Sequence, residues 1–145
     1  MRGSPPYRGL PLDSWAASVF GPRRWEPLSL EKKQVRYQRN KWFDDDRIAW
    51  IDLARRIESI RRDPLASGIV LNLSGASIPP SILWELRTEL ERCREAGKQV
   101  AVHFDRAGMT TYYLASVADH VTIDPQGRIM LPGIALRRTY LKGSL

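Results

Sequence analysis

The 145-residue sequence contains a single cysteine, Cys93, and only two histidines. One cysteine cannot form an intramolecular disulfide, and it excludes a zinc site built on several thiolates. No segment reaches the ~18 consecutive apolar residues that a membrane-spanning helix needs. Residues 1–6 lack the apolar core of a secretory signal. We therefore expect a domain that is stabilised by its hydrophobic core and located in the cytoplasm or at a membrane periphery.

Motifs for cofactor, metal and nucleophile chemistry are also absent. The sequence has no GxGxxG or GxxxxGK[ST] phosphate loop and no HExxH pair, so we expect no cofactor and no metal. Ser74 does not lie in a GxSxG elbow, which removes support for an α/β-hydrolase nucleophile. His103 and His120 lie in or beside predicted strands, where a structural role is the more common one. Cys93 lies on the apolar side of a predicted helix, which is typical of an inert cysteine.

The net charge of +7 arises from 23 Lys and Arg against 16 Asp and Glu. Nucleic-acid binders usually cluster such charge on one face or along one element. Here it is spread thinly, and the densest group is Arg55, Arg56, Arg61 and Arg62. We therefore do not expect nucleic acid as a partner, whereas an anionic membrane surface stays open.

The composition changes near residue 46. Residues 1–45 hold five of the ten prolines and three of the five tryptophans. A proline-rich segment cannot donate a continuous ladder of backbone hydrogen bonds, which predicts a partly extended arm. Its aromatic residues indicate packing against the domain or a partner, and a short helix is expected over residues 12–20. Residues 46–145 are predicted to form the α/β domain.

The centre of the sequence predicts a strand–helix–strand unit. Asp44, Asp45 and Asp46 are candidate N-caps of a helix that ends at Asp63-Pro64. A buried strand is predicted over Gly68–Leu73, because this run is short, apolar and β-branched. A helix follows from Pro79-Pro80 to a C′ residue at Gly97, and a second strand covers Gln99–Phe104. This order is typical of a parallel sheet.

The remaining sequence continues the alternation. A loop is predicted at Asp105–Gly108, a helix near Thr111–Ala118 and a strand at His120–Ile123. A turn at Asp124–Gly127 then leads to a strand at Arg128–Leu131. Residues 135–145 begin a helical pattern without a capped end, so we expect the fold to be truncated at its carboxyl terminus.

Three ordered motifs carry a family resemblance. They are Gly97–Val100, then the run TYYLASVAD at residues 111–119, then Pro125–Gly127. Together they resemble the signal peptide peptidase A (protease IV) family of serine peptidases, over roughly residues 46–145. The resemblance implies a ClpP/crotonase-like α/β fold of repeated β-α units with a mainly parallel sheet. We expect Tyr112 and Tyr113 to anchor their helix against the strands.

The family uses a serine nucleophile and a lysine base, and the resemblance implies that this chain lacks both. Met109 occupies the position of the serine, and a thioether cannot be deprotonated to act as a nucleophile. The family's lysine lies downstream of the last segment, and Lys142 does not match it. The loop at Ser74-Gly75-Ala76 replaces the usual double glycine of the oxyanion loop. Gly75 is therefore the one oxyanion-loop-like candidate, and we expect no catalytic residue.

Two interpretations stay open. The chain resembles the amino-terminal, non-nucleophile half of a tandem peptidase that degrades signal peptides, in which case its partner is the remaining half. Alternatively, it is a stand-alone, non-catalytic domain of the same fold that oligomerises as a scaffold. In both cases we expect the chain itself to be inactive, and peptides are substrates only of the parent protein.

Overall fold

The computed structural model describes residues 24–38 and 46–130. Within them the elements follow in the order β1 (Trp25–Ser29), β2 (Gln34–Arg36), β3 (Arg47–Ala49), α1 (Trp50–Arg62), β4 (Gly68–Asn72), α2 (Pro80–Glu95), β5 (Gln99–Ala107), α3 (Met109–Ala115) and β6 (His120–Ile129). Four strands form a parallel sheet in the order β1-β4-β5-β6, and β2 pairs in parallel with β3. The predicted α/β class with a mainly parallel sheet is confirmed, and it is consistent with a ClpP/crotonase-like fold.

The described part of the proline- and tryptophan-rich segment contributes strands to both sheets. Trp25, Leu28 and Val35 are buried, so this part packs against the rest of the domain. Pro27 lies opposite Val70 in β1, whose only partner strand in the described sheet is β4. Proline is tolerated there because the outer side of β1 needs no amide donor for that sheet. The helix predicted over residues 12–20 lies outside the described residues.

The predicted start of the first helix was wrong. Helix α1 begins at Trp50, and its N-cap residue Ala49 makes no side-chain capping bond. Residues 47–49 instead pair with residues 34–36, and the Asp46 carbonyl accepts a hydrogen bond from the Gln34 amide at 2.8 Å. Asp44 and Asp45 lie outside the described residues. The predicted end is confirmed, since the helix stops at Arg62 and Asp63 has extended backbone.

The central strand–helix–strand unit is confirmed. All five residues of β4 are buried, as expected for a strand covered on both faces. Pro80 is the first residue of α2, where its missing amide proton costs no helical hydrogen bond. Gly97 has φ +83°, and the amides of Gly97 and Lys98 donate to the carbonyls of Arg94 and Cys93. These two bonds form the Schellman motif that ends the helix.

The next unit differs from the prediction at its boundaries. Asp105–Ala107 extend β5 and do not form a loop, and α3 spans Met109–Ala115 and not residues 111–118. The two predicted strands after it belong to one strand, β6, whose pairing with β5 shifts register between Phe104 and Arg106. The residues of the predicted turn at 124–127 lie in this irregularity, where the Gln126 amide donates to the Asp124 carboxylate at 2.9 Å. Residues 131–145 lie outside the described ranges.

The two faces of the four-stranded sheet differ in chemistry. The helix face is formed by the odd-numbered residues of β4 and the even-numbered residues of β5. It packs against the apolar sides of all three helices, and together they form one core. That core includes Leu71, Val102, Ile57, Leu86 and Leu114. The polar face carries Asn72, His103 and Thr122 in one row across β4, β5 and β6. Both faces are buried at their centre, although only the polar face holds groups that need hydrogen-bond partners.

Candidate functional site

The loop that follows β4 lies at the carboxyl end of the parallel strands, where ligand sites of such sheets usually form. It begins where the Leu73 amide donates to the His103 carbonyl at 2.8 Å and continues through Ser77. Gly75, the predicted oxyanion-loop residue, has φ +65°. This left-handed conformation favours glycine, because a side chain there is strained against the backbone. The conformation turns the Gly75 amide towards β5.

The amides of this loop all donate within the protein. The Ser74 amide donates to Asn72 Oδ1 at 3.0 Å, and the Gly75 amide donates to Asp105 Oδ1 at 3.2 Å. The Ala76 amide donates to the Leu73 carbonyl, and the Ser77 amide donates to the Lys33 carbonyl. An oxyanion hole needs amides that point at the site where negative charge develops. Here the Gly75 amide donates to the carboxylate of Asp105, so this donor is already occupied within the protein.

A row of polar side chains supports the loop from the polar face. Asn72 is 1% exposed, and its Nδ2 lies 3.4 Å from a Glu31 carboxylate oxygen. The Ser74 hydroxyl is buried and has no hydrogen-bond partner within the described ranges. His103 Nδ1 lies 3.0 Å from the Thr122 hydroxyl. Burial lowers the pKa of His103, although the carboxylates of Asp124 and Asp105 oppose this effect, so the imidazole is held neutral.

Met109 is the first residue of α3, and its side chain is 60% exposed. Gly108 precedes it as the N-cap residue, without a side-chain capping bond. The assignment of Met109 to the serine position stays a prediction from the resemblance. The structure does place Met109 four residues after Asp105, whose carboxylate bonds Gly75. Gly75 and Met109, which the resemblance singled out, therefore lie in two segments that the hydrogen bond between Gly75 and Asp105 connects.

The expected anchoring role of the paired tyrosines was wrong. Tyr112 is 55% exposed and Tyr113 is 37% exposed, whereas Leu114 and Ala115 of the same helix are buried. A seven-residue helix buries only one side, and the apolar residues that follow the tyrosines occupy it. Tyr113 instead contacts α2, where the Arg87 guanidinium lies 4.6 Å from the ring centroid.

The other candidates for chemistry lie apart from the loop. Cys93 is buried in the helix-face core, and burial raises the pKa of its thiol to about 11, so it is a poor nucleophile at neutral pH. His120 packs edge-on against Trp25, with ring centroids 6.2 Å apart. Lys142 lies outside the described residues. Among residues 24–38 and 46–130, no group of three potential ligands is placed to hold a metal ion.

Two further observations concern the surface. The described residues contain 15 Lys and Arg and 13 Asp and Glu, so they contribute +2 to the net charge of +7. No helix in this part of the chain is both long and apolar enough to cross a membrane.

Sequence reasoning missed Asp105, which the prediction placed in a loop without a role. Its contact with Gly75 joins residues 30 positions apart. The register of β4 against β5 creates the contact, since Asn72 pairs with His103 and Asp105 follows two residues later on the same side. The acidic residue just beyond a predicted buried strand was the one available signal.

Comparison with known proteins supports the motif resemblance. The chain is 29% identical over 102 residues to Protease 4 of Haemophilus influenzae, which is 68% of this chain. It is 33% identical over 94 residues to Protease 4 of Salmonella typhi, which is 63% of this chain. The resemblance to protease IV is thereby confirmed. The aligned stretch covers 16% and 15% of the length of these two relatives. No family model matches the chain.

Proposed function

We propose that this chain is a nucleophile-free domain related to the amino-terminal half of protease IV, and that it has no peptidase activity of its own. In a tandem peptidase of this kind, its role would be to support the half that carries the nucleophile, while signal peptides would be substrates of the assembled protein. The observation that carries the proposal is the hydrogen bond between the Gly75 amide and the Asp105 carboxylate. A fixed negative charge at this amide disfavours an oxyanion at the same position.

The residue at the start of α3 supports the same conclusion. Met109 has no hydroxyl or thiol, so it cannot form an acyl-enzyme. The hydroxyl of Ser74, in the loop after β4, is buried and lacks a base as a hydrogen-bond partner in the described structure. Nucleophile, base and oxyanion donor would all have to be supplied for acyl transfer.

Labelling with a fluorophosphonate probe tests this proposal. We expect no covalent adduct on the intact chain by mass spectrometry, under conditions in which an active serine peptidase is fully labelled. The variant Met109→Ser is the sharper case, because it restores a hydroxyl at the family position. We expect it to remain unlabelled, since the Gly75 amide stays occupied. A probe adduct on a serine of the wild-type chain would refute the proposal.

A non-catalytic assembly domain is the second candidate, and exposed apolar side chains favour it. Met109, Tyr112, Ile129 and Met130 are each at least 55% exposed. They lie near one end of the sheet, because Ile129 pairs with Ala107, just before α3, and the Met130 amide donates to the Ala107 carbonyl. Exposed apolar residues that lie together often mark a protein–protein interface.

Light scattering coupled to size exclusion distinguishes this second candidate. An assembly domain should form an oligomer of defined mass that the double variant Tyr112→Ser, Ile129→Ser dissociates. The matched control is Leu65→Ser, which removes another side chain that is 69% exposed, in the connection between α1 and β4. A monomeric wild-type chain at all concentrations would exclude self-assembly as its function.

A further inference from the structure

We propose that Arg106 and Arg128 together form a binding site for the dianion of a phosphate monoester. The two arginines are partners in the pairing of β5 with β6, and both line the same cavity. The cavity lies beside β6, the last strand in the order of the described four-stranded sheet. Phosphate binding at this place does not depend on whether the chain has peptidase activity.

An insertion in β6 brings the two arginines together. Ile123 pairs with Phe104 and Arg128 pairs with Arg106, so β6 has three more residues than β5 between these two pairs. In the register that precedes the insertion, Arg106 would lie opposite Pro125. Irregularities of this kind often redirect a side chain next to a functional site. The insertion therefore places a second guanidinium where a regular strand would place a proline.

Gly127 fixes the shape of this insertion. A Cβ atom at Gly127 would lie 2.5 Å from Ile123 Cγ1 and 2.6 Å from the Asp105 carbonyl oxygen. Non-bonded carbon atoms pack at about 3.5–4.0 Å, so a side chain at this position would displace the strand. The close packing around Gly127 therefore holds the next residue, Arg128, in its position.

The charges of the two arginines are poorly compensated by the protein. Register partners project to the same face of a sheet, and like charges placed side by side repel each other. Arg106 Nε lies 3.8 Å from Asp105 Oδ2, which is too long for a hydrogen bond. Arg128 forms no ion pair with any residue in the ranges that the structure describes. An anion between the two guanidiniums would remove their repulsion.

Two carboxylates that also line the cavity restrict the kind of anion that can bind. Each has one oxygen engaged by a backbone amide, since Asp105 Oδ1 accepts from Gly75 and Asp124 Oδ1 accepts from Gln126. Their negative charge opposes a ligand that contacts only one arginine. A phosphate dianion carries one charge for each arginine, and its oxygens accept pairs of parallel hydrogen bonds from a guanidinium. The arrangement therefore favours phosphate over an anion of single charge.

The size of the cavity fits a small phosphorylated molecule. Its volume is about 410 Å³, within the ~300–1,000 Å³ that is usual for small-molecule sites. Met130, which is 69% exposed, lines the same cavity. A phosphate held by the two guanidiniums would leave room for a small organic group in contact with Met130, which is why we expect a monoester.

Titration of the intact chain with inorganic phosphate, followed by NMR, tests the proposal. At constant ionic strength and about pH 8, where phosphate is a dianion, the amide resonances of Arg106 and Arg128 should shift to saturation. Dimethyl phosphate, which carries a single charge, should leave them unchanged at the same concentrations. Arg128→Gln should weaken phosphate binding by at least about tenfold, because bonds to a charged group are lost.

The matched control is Arg55→Gln, which removes the same charge from an exposed position of α1 outside the cavity. An equal weakening in this control would reduce the effect to net charge and overturn the proposal. Unchanged wild-type resonances at saturating phosphate would overturn it as well. If Arg128→Gln does not fold, Arg106→Gln takes its place with the same expected loss, because the Arg106 side chain is 81% exposed.

Sedimentation with phosphatidylglycerol vesicles distinguishes a small phosphate monoester from a membrane lipid, since this lipid is a phosphodiester. We expect the wild-type chain and Arg128→Gln to sediment equally with these vesicles. Vesicle binding that Arg128→Gln abolishes would assign the arginine pair to a lipid surface and overturn the proposed ligand.

Discussion

The helix face and the polar face of the same sheet are both buried, but they differ in the groups that they bury. On the helix face, side chains such as Leu71 and Val102 belong to an apolar core that includes residues of all three helices. On the polar face, Asn72 and His103 are buried at equal depth but are surrounded by hydrogen-bonding groups. Asn72, the β4 residue of this polar row, ends its strand and directly precedes the loop that contains Gly75. The difference teaches that one sheet can bury an apolar surface on one side and a row of hydrogen-bonding groups on the other.

The largest effect should come from a cavity in the helix face. Leu86 is fully buried in the core between α2 and the sheet. Truncation to Ala removes its apolar contacts and leaves a void, so Leu86→Ala should lower the free energy of unfolding by about 2–5 kcal/mol. Urea unfolding measures this change. The control Leu65→Ala, at a side chain that is 69% exposed, should stay within about 0.5 kcal/mol of the wild type.

A titratable group on the helix face should give an alkaline loss of stability. Burial raises the pKa of the Cys93 thiol from 9.0 to about 11, with Arg61 and Lys98 partly opposing the shift. The folded state therefore holds its proton where the unfolded state has lost it. The resulting stabilisation is on the order of 3 kcal/mol. It is present below pH 9 and disappears as the pH rises through 11.

Comparison with Cys93→Ala isolates this contribution from the other groups that titrate at alkaline pH. We expect the wild-type free energy of unfolding to fall more steeply than that of the variant between pH 9 and pH 11. Parallel curves for the two proteins would show that the thiol is not buried in the apolar core as described.

A smaller effect is expected where the polar face meets the loop. Asn72→Ala removes the acceptor of the Ser74 amide, and the unpaired amide should lower the free energy of unfolding by about 1–3 kcal/mol. Ser29→Ala is the control, because Ser29 pairs with Asn72 in register but is exposed. A loss as large as that of Leu86→Ala would remove the distinction between the two faces.

The sequence predicts the elements whose signals are local. The apolar run of β4 and the glycine that ends α2 each determine the local structure without a distant partner. The position of this strand and the end of this helix were therefore predicted correctly. Strand β1 was missed, because Pro27 interrupts its pattern and only pairing with the distant β4 explains it. The start of α1 was misplaced for the same reason, since β3 forms through its pairing with β2.

In the candidate site, too, the local feature was predictable and the contact between distant segments was not. The turn at Gly75 was predictable, because a glycine follows directly after a buried strand. The ligand of its amide was not, because Asp105 reaches it only through the register of β4 and β5. The exposure of Tyr112 was not predictable either, since it depends on which side of α3 meets the core. Contacts between residues that are distant along the chain were therefore not predictable from the sequence.

The smallest effect, and the one with the opposite sign, should come from His103 on the polar face. Burial lowers the pKa of this imidazole below its ordinary value of 6.5, while Asp124 and Asp105 oppose the shift. The unfolded state therefore binds a proton more readily than the folded state does. Stability is fully present above pH 6.5 and is lost as the pH falls through the folded-state pKa. We expect the slope in urea unfolding between pH 7.5 and about pH 5 to flatten in His103→Gln.

The variant His120→Gln separates this effect from the loss of any imidazole, because His120 contacts Trp25 and lies outside the row with Asn72. A flattened slope in His103→Gln alone would assign the acid sensitivity to the polar face. Equal flattening in both variants would contradict that assignment. Cys93 on the helix face should lower the free energy of unfolding at alkaline pH, whereas His103 on the polar face should lower it at acid pH. Stability measurements at both ends of the pH range would therefore distinguish the two faces without an activity assay.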